Sequence, residues 1–319
     1  MSQLYRIFFS FGIVVALITL PLTAPAKAAK LAVAPISATE FFKLGVEETR
    51  REHYEEAIQN FTQAIELDAD FATAYSNRCL VHIQLEDYEK AAADCTAALQ
   101  LNPNNTEAYL NRGLAYYRLG NYPAAISDYQ EIIAINSSDF RAYYNRGLAR
   151  FELKDYEGAI ADYNQTLLKS HQRAEPLLAD VYNDRGLAQL MLENVPSAIA
   201  DFSRAITIDA SNHRAFYNRA CACHKKRDYI GAIQDFTIAL QLDPSHAEAY
   251  LNRGLIHHEL GLQQAALSDL KTASKHFDKQ GNIPAYQRTL ALIERLKHLL
   301  QSSDENAIAF FPSRLSTLN

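Results

Sequence analysis

Tyr109-Leu-Asn-Arg-Gly-Leu114 is one copy of a phrase that returns along the chain with small changes. Clear copies are Tyr75-Ser-Asn-Arg-Cys-Leu80, Tyr143-Tyr-Asn-Arg-Gly-Leu148, Tyr182-Asn-Asp-Arg-Gly-Leu187, Phe216-Tyr-Asn-Arg-Ala-Cys221 and Tyr250-Leu-Asn-Arg-Gly-Leu255; Phe41-Phe-Lys-Leu-Gly-Val46 is a degenerate one. The glycine slot therefore falls at 45, 79, 113, 147, 186, 220 and 254, a step of 34 residues interrupted by one step of 39. Seven tandem units follow from this spacing. A five-residue insertion near 169–176 divides them four plus three and is expected to lengthen a helix or add a loop.

Twelve residues after each glycine slot comes an Ala, and in five units an aromatic follows four later: Ala57 with Phe61, Ala125 with Tyr129, Ala159 with Tyr163, Ala198 with Phe202 and Ala232 with Phe236. Turn signals lie between the two phrases, among them Gly120-Asn-Tyr-Pro and Lys154-Asp-Tyr-Glu. Asn102-Pro and Asp243-Pro close units, because the residue before proline disfavours helix. Each unit reads as helix, tight turn, helix. Small residues at the glycine and Ala slots let antiparallel helices approach, and the aromatics fill the wider gaps.

These residues resemble the tetratricopeptide repeat family over about residues 38–280. The resemblance implies an all-α, right-handed superhelical solenoid whose first helices line a concave groove that binds peptides or partner proteins. The carboxylate clamp of chaperone-binding relatives needs Lys and Asn where this chain has Phe42 with Val46, Ser76 with Leu80 and Leu110 with Leu114, so an acidic chaperone tail is not an expected ligand. After the seventh unit, 281–301 reads as one more amphipathic helix, with Tyr286, Leu290, Ile293, Leu296 and Leu300 at helical spacing, suited to cap the last apolar face. From 302 to 319 a mobile tail is expected.

At about 100° per residue, the Tyr and Gly of the phrase share the stripe that packs on the partner helix, and the Asn falls far from it. The arginine of the phrase recurs at 78, 112, 146, 185, 219 and 253, and an Asp precedes the aromatic slot at 94, 128, 162, 201, 235 and 269. The first unit has Leu44 and Asn60 instead, so both members vanish together. That concurrence predicts a structural Arg to Asp bridge within each of six units.

The Asn column is the candidate peptide-binding feature: Asn77, Asn111, Asn145, Asp184, Asn218 and Asn252, with Tyr144 and Tyr217 beside it. A side-chain amide both donates and accepts, so a ladder of amides suits an extended backbone, as in the asparagine ladders of O-linked sugar transferases. The competing reading is that Asn merely tolerates the repeat's geometry or bonds a neighbouring unit. Phe42, Leu110, Leu251, Tyr117, Phe151, His224 and His258 share the face and either pack or make the groove apolar and aromatic.

Composition agrees with a folded protein. The chain has 319 residues, 48% hydrophobic and 21% charged, with net charge −6, and no basic stripe for nucleic acid. It shows no phosphate loop, no nucleophile elbow and no zinc-protease motif, so neither catalysis, a cofactor nor a metal is expected; His257 and His258 lack a third ligand. Ile7 to Leu20 is an apolar run preceded by Arg6 and followed by Ala26-Lys-Ala28. That is the layout of a signal peptide over 1–28, with a flexible leader at 29–37 and an exported, extracytoplasmic product; a retained membrane anchor at 7–20 is the alternative. Cys79, Cys95, Cys221 and Cys223 have no metal-ligand spacing and read as small buried hydrophobes, with a Cys79 to Cys95 disulfide left open by export. The functional expectation is a scaffold that binds an extended peptide or partner protein of unknown identity; the alternative is an assembly subunit that self-associates or attaches to a membrane complex.

Overall fold

The computed structural model describes residues 36–170 and 175–302. The signal-peptide and anchor readings, the leader up to residue 35, the centre of the insertion at 171–174 and the tail from 303 lie outside the described residues.

Fifteen helices make up the described residues. Seven antiparallel pairs are α1 (Ala38–Arg50) with α2 (Tyr54–Leu67), α3 (Ala72–Gln84) with α4 (Tyr88–Leu101), α5 (Thr106–Arg118) with α6 (Tyr122–Ile135), α7 (Phe140–Glu152) with α8 (Tyr156–Lys169), α9 (Glu175–Met191) with α10 (Val195–Ile208), α11 (His213–Lys225) with α12 (Tyr229–Leu242), and α13 (Ala247–Glu259) with α14 (Gln263–Lys279). A last helix, α15 (Ile283–Ser302), packs on α14, where Ile293 and Leu296 are buried with Ala266 and Leu270. The all-α repeat solenoid expected from the period is the fold observed.

Local chemistry repeats with the period. Second helices stop at Asp68, Asn102, Asn136, Asp209 and Asp243, each of which accepts from the backbone N–H two residues on. The next helix is then capped by a short polar side chain, as Asn105, Asp139 and Asn212 do. Within units, the first helix ends in a left-handed residue at 52, 86, 120, 154, 193, 227 and 261, only two of which are glycine.

The insertion breaks this rhythm for a visible reason. Ser170 takes the stop position after α8, but its backbone stays helical and its hydroxyl bonds Leu167. The helix that follows starts early: α9 has 17 residues where the other first helices have 13, so the insertion mostly adds one turn to a helix start.

Side-chain packing within a unit joins the glycine slot to the ring slot. A Cβ at Gly45, Gly113, Gly147 or Gly186 would come within 2.6 to 2.7 Å of the ring of Phe61, Tyr129, Tyr163 or Phe202. First helices of successive units also touch one another, α1 on α3 through α11 on α13, and no comparable contact joins the second helices. First helices therefore form the inner layer of the stack. None of the described helices is long and apolar enough to cross a membrane.

Candidate interaction surface

The Asn column divides in two. In units 5 to 7 every member is engaged by the residue that precedes the Asn slot in the unit before. Tyr144 donates to Asp184 at 2.8 Å, Asn218 donates to Asn183 at 2.8 Å, and Asn252 donates to Tyr217 at 3.1 Å. Asp184 also accepts from Asn183 and from Arg214, at 3.1 and 3.4 Å. Asp184 and Asn252 are only 7% and 4% exposed, so they form no open ladder. Their place between first helices, rather than on a free face, is the correction to the six-rung surface.

Burial has electrostatic consequences at this seam. Loss of solvation pushes the Asp184 carboxyl above its ordinary value, against the opposing pull of Tyr144 and Arg214. Burial likewise raises the phenols of Tyr144 and Tyr217 and pushes the Cys221 thiol up to about 12. These groups are held neutral or hydrogen-bonded inside the stack.

In units 2 to 4 the residues before the Asn slot are Ser76, Leu110 and Tyr144, and the first two form no such bridge to the following unit. Asn77 donates back to Thr73 of its own helix at 2.8 Å, a bond that leaves its carbonyl oxygen available. The amides of Asn111 and Asn145 bond no other described residue and are half-buried. Leu110 and Leu114 flank them, half-buried, and Leu80 is exposed.

The aromatic neighbours are mostly packed. Phe42, Tyr144 and Tyr217 lean on the second-helix rings Phe61, Tyr163 and Phe236. Tyr117, Phe151 and His224 rest on Tyr122, Tyr156 and Tyr229, the ring that opens the second helix of their own unit. His258 is buried beside Gln263, and Leu251 packs on α14 and α15 residues. The surface left partly open in units 2 to 4 thus combines the amides and Leu80, Leu110 and Leu114 with the half-buried rings of Tyr117, Tyr144 and Phe151.

The second repeated motif is structural. Each of the six arginines grips its Asp with Nε and Nη2, as Arg112 does on Asp128 at 2.9 and 2.7 Å. In five units the remaining nitrogen reaches back to the preceding second helix, on Thr62, Thr96, Asn164, Ser203 or Thr237. The sequence reading missed this backward reach. Its signal is a Thr, Ser or Asn just after the ring slot, where unit 3 has Gln130 and Arg146 makes no such bond.

Cys79 and Cys95 are joined in a disulfide with Cα atoms 5.5 Å apart, while Cys221 and Cys223 are free. No described group of three or more His, Cys, Asp or Glu could hold a metal ion.

Paired helices in fixed register, tied in six of the seven units by one Arg and one Asp, define a helical repeat solenoid. Family comparison agrees: models described as tetratricopeptide repeat match residues 80–139 and 110–175, and one described as TPR repeat matches 45–85 and 222–261. The chain belongs to the tetratricopeptide repeat family. A tetratricopeptide repeat protein from Parabacteroides merdae superposes with TM-score 0.63 at 18% identity, over 79% of this chain and 98% of that one. Pseudomonas aeruginosa pilF gives 0.56 at 20% identity, over 69% of this chain and 96% of that one. A chain of the APC/C hetero-tetramer Cut9-Hcn1 gives 0.56 at 20% identity and 68% coverage of this chain, which spans only 42% of its length. At such identities the likeness is one of fold. No curated protein matches the chain.

Proposed function

We propose that this chain is a protein-interaction scaffold whose binding surface is the first-helix face of units 2 to 4. An extended segment of a partner protein would lie across Asn77, Asn111 and Asn145, with its apolar side chains against Leu80, Leu110 and Leu114. One observation carries the reading: the amides of Asn111 and Asn145 bond no other described residue, whereas Asp184, Asn218 and Asn252 of units 5 to 7 are each hydrogen-bonded across a unit boundary. A half-buried amide with free donors and acceptors gains most from a ligand that supplies both, which a peptide backbone does. Export is part of the same proposal, supported by the apolar run at 7–20 and the Ala26-Lys-Ala28 site.

A photo-crosslinking residue at Leu114 should trap a partner from the extracytoplasmic fraction. Asn111→Ala with Asn145→Ala should abolish that product and leave the melting temperature unchanged. Retention of the crosslink in the double variant would sink the amide reading, and a crosslinked dimer of this chain would favour self-assembly instead.

A further inference from the structure

Unit 2 departs from its neighbours at two slots at once. Where units 1, 3, 4 and 5 pair a glycine with a ring, Gly45 with Phe61, Gly113 with Tyr129, Gly147 with Tyr163 and Gly186 with Phe202, unit 2 pairs Cys79 with Cys95. The buried side chains around that pair are small apart from Leu99, among them Ala91, Ala92 and Ala98, and Tyr75, Ile83 and Tyr88 of the same unit pack against them half-buried. Val81, a large fully buried side chain of α3, is spent on Phe61 and Ala57 of unit 1. Tyr88, which opens α4, packs at the edge of this core as Tyr122 and Tyr156 do in their units, but the slot four residues after Ala91 carries no ring. What joins α3 to α4 at that slot is the covalent bond.

We infer that unit 2 closes only when Cys79 and Cys95 are oxidised, which makes the dithiol an obligatory substrate of a disulfide-bearing thiol oxidant. A disulfide closing a loop of this length contributes about as much as a buried ring, so the bond replaces the missing packing. Both cysteines are 0% exposed once it has formed, so exchange has to precede closure or await local opening. One cysteine, as thiolate, attacks a sulfur of the oxidant's disulfide and releases one oxidant thiolate. The other then attacks the resulting mixed disulfide at the protein sulfur, forming the Cys79 to Cys95 bond and releasing the second oxidant thiolate. Two electrons pass to the oxidant, and the two cysteine protons pass to solvent or to the released thiolates. Such bonds persist in oxidising compartments, in keeping with export. Cys221 is an internal contrast: half-buried, bonded to the Asn252 amide and kept as a thiol. The inference holds whether or not units 2 to 4 bind a partner.

The test refolds the full chain with glutathione disulfide as oxidant, or with a phosphine reductant, and follows hydrogen exchange helix by helix. Amide protection in α3 and α4 should fall about 100-fold on reduction, the equivalent of closing a loop of roughly 15 residues, and stay constant in α11 and α12. Restoring the pattern of the other units with Cys79→Gly and Cys95→Phe should give protection that is high and indifferent to reductant. Cys79→Ser with Cys95→Ser should match the reduced chain. Equal protection of α3 and α4 in oxidised and reduced wild-type protein overturns the inference.

Discussion

Tyr144 donates its hydroxyl hydrogen to Asp184 at 2.8 Å across the junction between units 4 and 5, the joint that the insertion modifies. The carboxylate is buried, so this bond and those from Asn183 and Arg214 supply what water would otherwise supply. Tyr144→Phe removes the nearest donor and should cost about 1 to 3 kcal/mol in urea unfolding at neutral pH.

The same carboxyl makes a pH prediction. Its folded pKa lies above the ordinary 3.8, so between those two values the folded chain binds more protons than the unfolded one. Its contribution to stability is then present below the ordinary value and is lost as pH rises through the folded one. Asp184→Asn removes the ionisation, so the stability of the variant relative to wild type should increase as pH is raised from acid to neutral. A difference that is flat with pH would contradict the assignment.

Removing one member of an Arg to Asp bridge differs from removing both. Arg112→Leu strands Asp128, which is 3% exposed, and should cost about 3 kcal/mol or more at neutral pH. Adding Asp128→Asn recreates the Leu44 and Asn60 arrangement of unit 1 and should recover most of that loss. A double-mutant cycle by chemical denaturation measures the recovery.

Asn variants should separate by position. Asn218→Ala leaves the Asn183 oxygen without its partner in a buried place and should lower stability by about 1 to 2 kcal/mol. Asn145→Ala should be close to neutral by the same melting assay. If Asn145→Ala were the more damaging change, the division of the column would be wrong.

A turn substitution should stabilise. Lys154 holds φ at 63° in the position where Gly120 and Gly261 sit in their units. Lys154→Gly relieves the Cβ crowding of the left-handed region and should raise stability by about 0.5 to 1 kcal/mol, read as a shift of the urea midpoint.

Repeat number, helix pairing and the Arg to Asp bridges could be read from the chain, because each depends on a column compared with itself. The bridge was legible because Leu44 and Asn60 replace both partners in the same unit. The state of the Asn column was not, because it is decided diagonally. Whether Asn145 or Asn252 is open depends on Leu110 or Tyr217, which stand 35 residues earlier in the preceding unit. Helical angle placed all six members on one face and could not see across the unit boundary. The disulfide was open for the same kind of reason: Cys79 and Cys95 occupy two slots that touch, and the contact became plain only once Gly45 was seen against Phe61.

The backward reach of five of the six arginines gives the array a direction, like plugs entering sockets. Thr62, Thr96, Asn164, Ser203 and Thr237 are the sockets, and the corresponding position after Leu270 is Lys271, a cation that would repel an incoming guanidinium. At the other end, unit 1 has Leu44 where the plug should be. A unit duplicated within the array would find its joints ready-made, whereas one appended at either edge would not. Growth of this solenoid by recombination is therefore encoded from the inside only.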